Sequence, residues 1–233
     1  MARPRLFLVP LWTEVEWTIR PHLDEWAEVA SFDPAMAAER GPPSRESLVA
    51  VGLEKLDELG WDGYFIAADT FGTATAAQIA RARRSHVQGL ALGHACRSWD
   101  MEGDRAPVRK ELWEAMAQLM RQDVDSFLRY GITQLTQGSF DEDVSRQMVE
   151  RVPPDNLEAV WTQIRDEHEP IAELIAEVGR PLLLAKHEGC LMFTDEGFED
   201  VVTAFPDADS LAVEKAPCAD EGFARALREF CGA

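Results

Sequence analysis

Short apolar runs alternate along the chain with amphipathic stretches. "RLFLVP" (5–10) is apolar and ended by proline, which predicts a buried strand. "TIRPHLDEWAEV" predicts a helix, "VASFD" (29–33) a second strand, and "PAMAAERGPP" a loop. "SRESLVAVGLEKLDELG" (44–60) opens on Ser44 as a cap and closes on Gly60, with Leu48, Val49, Gly52, Leu53, Leu56 and Leu59 on one helical face. "GYFIAA" predicts the third strand, "FGTATAAQIARARR" the helix after it, and "VQGLALG" (87–93) the fourth strand. Strands separated by single helices imply parallel pairing.

That rhythm stops at about residue 101 and does not return until about 180. "RKELWEAMAQLMRQDVDSFLRY" sets Leu112, Trp113, Met116, Leu119, Met120, Val124 and Phe127 on one stripe. "FDEDVSRQMVERV" and "DNLEAVWTQI" are shorter amphipathic pieces divided by Pro153-Pro154. The sheet pattern resumes with "RPLLLAK" (180–186), a helix around "DEGFEDVVTAF", the strand "DSLAVEK" and a terminal helix "DEGFARALREFC". The prediction is an α/β fold: a mostly parallel sheet of about six strands flanked by helices, with residues 1–100 and 180–233 as the core and 101–179 as a helical cap.

A length of 233 residues suffices for one large α/β domain with a sizeable core. The net charge of −19 disfavours nucleic acid and anionic membrane surfaces, because nothing here neutralises phosphates. No stretch approaches a membrane span, and the apolar run at the N-terminus is too short for a signal-peptide core. The four cysteines, Cys96, Cys190, Cys218 and Cys231, are scattered, so reduced thiols and a cytoplasmic location are expected. No phosphate loop and no ligand-spaced His/Asp/Glu group is evident, so neither cofactor nor metal is expected. The expected partner is a small molecule, and self-association into a homodimer is left open.

"YFIAA" followed by Asp69-Thr70-Phe71-Gly72 and a helix fits a nucleophile elbow, a turn that holds its central residue in a strained conformation. The positions two before and two after that residue must be small, and here they are Ala68 and Gly72. The order of elements around this turn resembles the α/β-hydrolase superfamily. "LFLVPLWTEVEWTIRPHLDEWAEVASFD" and the chain from "RPLLLAKHEGC" to its end carry the likeness, which spans nearly the whole sequence.

The resemblance implies a catalytic triad, yet the functional positions depart from the pattern. Ala68 stands for the family's first elbow glycine and Thr70 for its serine. After the strand "PLLLAK", where the family places its acid, come His187, Glu188, Gly189 and Cys190; only Glu188 could serve. Before the terminal helix, where the family places its histidine, stands Cys218.

Threonine can act as a nucleophile if a base takes its proton. His22, His86 and His168 are poorly placed; His94 and His187 both follow strands at the carboxyl edge of the sheet, where ligand sites form. The backbone N–H of Phe71, together with Leu11 or Trp12, would supply an oxyanion hole. Asp69 is an alternative nucleophile one place early, with its side chain expected to turn away from the pocket. Cys190 and Cys218 lie where triad members would be, as thiolate candidates or as small apolar filler. Two functions follow: a triad-lacking protein whose pocket binds a ligand or runs a lyase- or cyclase-type step, or a weak esterase or lactonase using Thr70 with His94 or His187.

Overall fold

A computed structural model describes residues 3–10, 12–39, 44–98, 106–135, 142–152, 156–159, 161–162 and 170–233. One six-stranded sheet runs through them: β1 (Arg5–Val9), β2 (Glu28–Ser31), β3 (Tyr64–Asp69), β4 (Val87–Gly93), β5 (Leu182–His187) and β6 (Asp209–Val213), in the order β2-β1-β3-β4-β5-β6. Every neighbouring pair is parallel. Each strand falls where an apolar run predicts one. Such runs suit strands covered on both faces.

The helices are α1 (Arg20–Asp24), α2 (Ala35–Ala38), α3 (Arg45–Leu59), α4 (Gly72–Ala82), α5 (Lys110–Gln122), α6 (Val124–Leu135), α7 (Glu142–Arg151), α8 (Ile171–Val178), α9 (Asp195–Ala204) and α10 (Glu221–Phe230). Strand alternation divides the core in two. Phe7, Val9, Ile66, Ala68, Leu90, Leu92 and Leu184 pack with α3, α4 and α8. Leu6, Leu8, Ala67, Ala91, Leu183 and Ala185 pack with α1 and α10. Ser44 caps α3 by accepting the Ser47 amide at 3.1 Å, and Gly60 ends it in the left-handed region at φ 59°.

The single amphipathic stripe expected after residue 109 is divided into α5 and α6. Asp123 leaves α5 in an extended conformation, and its carboxylate accepts the amide and hydroxyl of Ser126 at 3.1 and 2.6 Å. Aspartate competes well as a helix cap, so the apolar spacing continues across a break in the backbone. Helix α8, inside the predicted 101–179 cap, buries Ile171, Leu174, Ile175 and Val178 in the same core as α4. An isolated antiparallel bridge, Val108 to Phe193, joins the start of the insertion to the loop after β5. Pro153, Pro154 and His168 lie outside the described residues.

Candidate functional site

The parallel register sets Asp69, the last residue of β3, opposite Gly93, the last residue of β4. Thr70 and His94 follow directly, and both have positive φ, 50° and 49°. A β-branched residue occupies that region at a cost of about 1–3 kcal/mol, so the surrounding bonds must enforce it. They do. The Thr70 amide donates to the Gly93 carbonyl at 2.9 Å and to Asp69 Oδ1 at 2.7 Å. The amide and hydroxyl of Thr73 donate to the Thr70 carbonyl at 3.2 and 2.8 Å. Helix α4 starts two residues after Thr70, which gives the strand–turn–helix geometry of an elbow with Thr70 at its apex.

Asp69 and His94 are each 3% exposed. His94 Nδ1 donates to Asp69 Oδ1 at 2.9 Å, and the Cys218 amide donates to Asp69 Oδ2 at 3.1 Å. Burial alone would raise the carboxyl and lower the ring. Their mutual attraction outweighs it, holding Asp69 below its ordinary value and raising His94 to about 9. Gly93 makes the pairing possible, since a Cβ there would lie 2.6 Å from Asp69 Oδ1 and 2.7 Å from the Pro217 ring.

This geometry corrects two expectations. Asp69 does not turn away: it lies at the wall of the pocket with its carboxylate committed to three donors. Nor does His94 serve Thr70. Its Nδ1 goes to Asp69, and its Nε2 lies 3.3 Å from the His187 amide. A histidine and an acid are therefore paired here, at different places from the family's pattern.

The pocket, of about 120 Å³, gathers Trp12, Asp69, Thr70, Phe71, His94, His187, Cys190 and Cys218. Its walls are largely apolar: Leu112 and Met116 of α5, Phe127 and Leu128 of α6, Met148 of α7 and Phe193 join them. Phe71 stacks edge-on against Trp113 with centroids 5.2 Å apart, and Trp113 lies flat on Trp161 at 3.9 Å. Such ring contacts tie the helices of the insertion to the elbow. Trp12 and Trp161 line this space, and their indole N–H groups are buried with no acceptor among the described residues.

The expected oxyanion donors fare differently. Leu11 lies outside the described residues. The Trp12 amide is not free, because it donates to Glu16 Oε2 at 3.3 Å. Phe71 contributes its ring to the pocket wall. Glu16, 8% exposed at the pocket wall, was not singled out by the sequence; its only signal is the Thr13-led turn "TEVE", in which Thr13 Oγ1 accepts the Val15 amide.

His187 is buried, and its ring is tilted edge-on to His94 at 6.1 Å. Burial and the charge of His94 hold it below its ordinary value. The Cys218 thiol is pushed up by burial and by Asp69. Cys190 differs. Burial opposes its ionisation, but hydrogen bonding and charge from His94, with the Phe193 and Met192 amides, hold its thiol below the ordinary value.

The nitrogen and sulfur atoms of His94, His187 and Cys190 lie within 4.8 Å of one another, a grouping the sequence spacing did not suggest. Two imidazoles and a thiolate suit a soft divalent ion. His94 Nδ1 donates to Asp69, the arrangement usual for a ligating histidine, while its Nε2 lies 3.3 Å from the His187 amide.

No family model and no curated protein matches the chain. Solved structures do. The whole chain superposes on 93% of a bromoperoxidase from Bacillus anthracis at 11% identity with a TM-score of 0.82. It also superposes on 92% of a hydrolase from Oleispira antarctica at 12% identity, TM-score 0.79. An enol-lactonase from Burkholderia xenovorans matches the whole chain over 93% of its own length at 14% identity, TM-score 0.73. At such identities the likeness is one of fold, and the site must be argued from its own residues. The chain thus has the α/β-hydrolase fold that these structures share.

Proposed function

We propose that the chain binds a small, largely apolar molecule with an acceptor oxygen in the pocket above Thr70, and that Thr70 is not a hydrolytic nucleophile. The pocket serves binding or a non-hydrolytic step of lyase or cyclase type. The observation that carries this reading is that neither His94 nitrogen is hydrogen-bonded to Thr70: Nδ1 donates to Asp69 at 2.9 Å, and Nε2 lies 3.3 Å from the His187 amide. A hydroxyl without a base within hydrogen-bond reach is a weak nucleophile.

The pocket volume of about 120 Å³ is near that of a cavity of ~150 Å³ that takes up benzene, so a single ring or a short chain is the fitting size. Apolar walls would hold such a body, and Trp12 and Trp161 are lining residues whose indole N–H groups have no acceptor among the described residues.

The alternative, a weak esterase or lactonase using Thr70, draws on the strained φ of 50° that puts this residue at the elbow apex. Turnover of 4-nitrophenyl butyrate by the wild type and by Thr70→Ala separates the two. Equal rates are expected; a drop of about a hundredfold or more in Thr70→Ala would restore the threonine mechanism.

A further inference from the structure

Three side chains of the pocket wall bring metal-binding atoms together. His94, His187 and Cys190 all line it, and one ligand atom of each lies within 4.8 Å of the others. We propose that His94 Nε2, a His187 ring nitrogen and Cys190 Sγ bind a zinc-type divalent ion, whose fourth coordination position takes an oxygen of a small apolar carboxylate. The ion site stands on these three residues alone. Its use by a carboxylate deepens the pocket reading and rests on it. Local spacing in the sequence points to no metal, because His94 reaches the other two only across the β4–β5 pairing.

Asp69 prepares His94 as a ligand. Its Oδ1 takes the Nδ1 proton at 2.9 Å, which sets the neutral ring in the tautomer with its lone pair on Nε2. A carboxylate behind a ligating imidazole orients the ring and raises its basicity. Asp69 is held in turn by the Thr70 and Cys218 amides. His94 Nε2 meets the His187 amide at 3.3 Å, beyond the usual ~2.7–3.2 Å of a hydrogen bond, so an ion at closer range takes that lone pair. The backbone fixes the other positions. The His94 amide donates to the Ala185 carbonyl at 2.8 Å, and the Glu188 amide to the Val213 carbonyl at 2.9 Å. Gly189, at φ 72°, turns the chain so that Cys190 comes back beside His187.

The donor set selects the ion. One thiolate with two imidazoles is soft, which disfavours magnesium and calcium and suits zinc. Tetrahedral bonds of about 2.0–2.3 Å set ligand atoms about 3.3–3.8 Å apart, so closing on an ion asks for a movement of at most about 1.5 Å. Cys190, only partly buried in its turn, supplies it. Charge also balances: the Cys190 thiolate and the Asp69 carboxylate offset the two positive charges of the ion. The thiol proton, with the second proton of a charged His94, leaves to solvent as the ion binds. Because all three ligands face the pocket, the fourth position opens into it. A carboxylate oxygen there would set its apolar body against Leu112, Phe127 and Phe193.

The test is titration of the full chain, stripped with a chelator, with cobalt(II) at neutral pH. One equivalent should bind, with a thiolate-to-cobalt charge-transfer band in the near ultraviolet, and zinc should displace it. Cys190→Ala should lose the band and bind zinc about a hundredfold more weakly, while Cys231→Ala keeps both. Proton NMR of the cobalt-loaded chain should show strongly shifted ring signals from His94 and His187, with His22 and His86 unmoved. A chain that takes up no cobalt, a band that survives in Cys190→Ala, or shifted signals from His22 or His86 would overturn the proposal. Two probes separate the ion from the pocket. Butyrate should move the visible bands of the cobalt-loaded chain, and neutral butyramide should quench tryptophan fluorescence in Cys190→Ala. Butyramide binding in a chain that takes no cobalt overturns the ion site alone. Visible bands unmoved by butyrate while butyramide binds overturn the open fourth position. Cobalt bound as expected with no response to either probe overturns the pocket reading and the carboxylate, and leaves the ion site.

Discussion

Asp69 Oδ1 accepts a hydrogen bond from His94 Nδ1 at 2.9 Å, with both side chains about 3% exposed and each at the carboxyl end of a neighbouring strand. Breaking such a pair leaves a buried charge uncompensated, which costs about 3–5 kcal/mol. Asp69→Asn should therefore lower unfolding free energy by several kcal/mol in a urea titration. The double variant Asp69→Asn, His94→Gln should lose less than the sum of the single losses, because the second change removes the stranded partner.

The same pair sets a pH dependence. His94 is raised from 6.5 to about 9, so its contribution is complete below pH 6.5, where folded and unfolded chains are both protonated. Between 6.5 and about 9 the folded chain keeps a proton the unfolded chain has lost, and stability falls. Asp69, held below its ordinary 3.8, adds stability above that value and loses it on acidification. Thermal unfolding should thus show Tm declining from pH 6.5 to 9, with a clearly shallower slope in Asp69→Asn.

Gly93 is the permissive residue beneath this pair. An alanine Cβ there would sit 2.6 Å from Asp69 Oδ1 and 2.7 Å from Pro217 Cβ, and neither can retreat without disturbing the buried contacts. Gly93→Ala should cost about 1–3 kcal/mol in chemical denaturation, by overpacking. It should also return the His94 titration towards its ordinary range as the pair is forced apart.

Thr70 stores strain that can be released. At φ 50° a side chain with a Cβ is disfavoured, so Thr70→Gly should stabilise the chain by up to about 1 kcal/mol. Thr70→Ala keeps the Cβ and should give no such gain. Calorimetry on the two variants checks this directly.

Much of this architecture is legible in the sequence. "RLFLV", "VQGLALG" and "PLLLA" are apolar runs bounded by breakers, and they become β1, β4 and β5 within a residue or two. Ala68 and Gly72 around Thr70 announce the elbow, because only small residues fit a turn that sharp. What stays hidden depends on register. That Asp69 faces His94 follows from β3 and β4 pairing with Asp69 opposite Gly93, a tertiary fact no local spacing encodes. Cys190 joins them only because β5 lies on the far side of β4. The break at Asp123 is hidden differently: apolar spacing runs through it while the aspartate side chain ends one helix and starts the next.

The direction in which His94 is turned decides between the two accounts of this site, and nitrogen-15 NMR of its imidazole reports that most directly. The predicted result is a protonated Nδ1 and a titration near 9, unchanged in Thr70→Ala and lost in Asp69→Asn. A ring that titrates near 6.5 in the wild type, or whose signals shift when only the Thr70 hydroxyl is removed, would contradict the account.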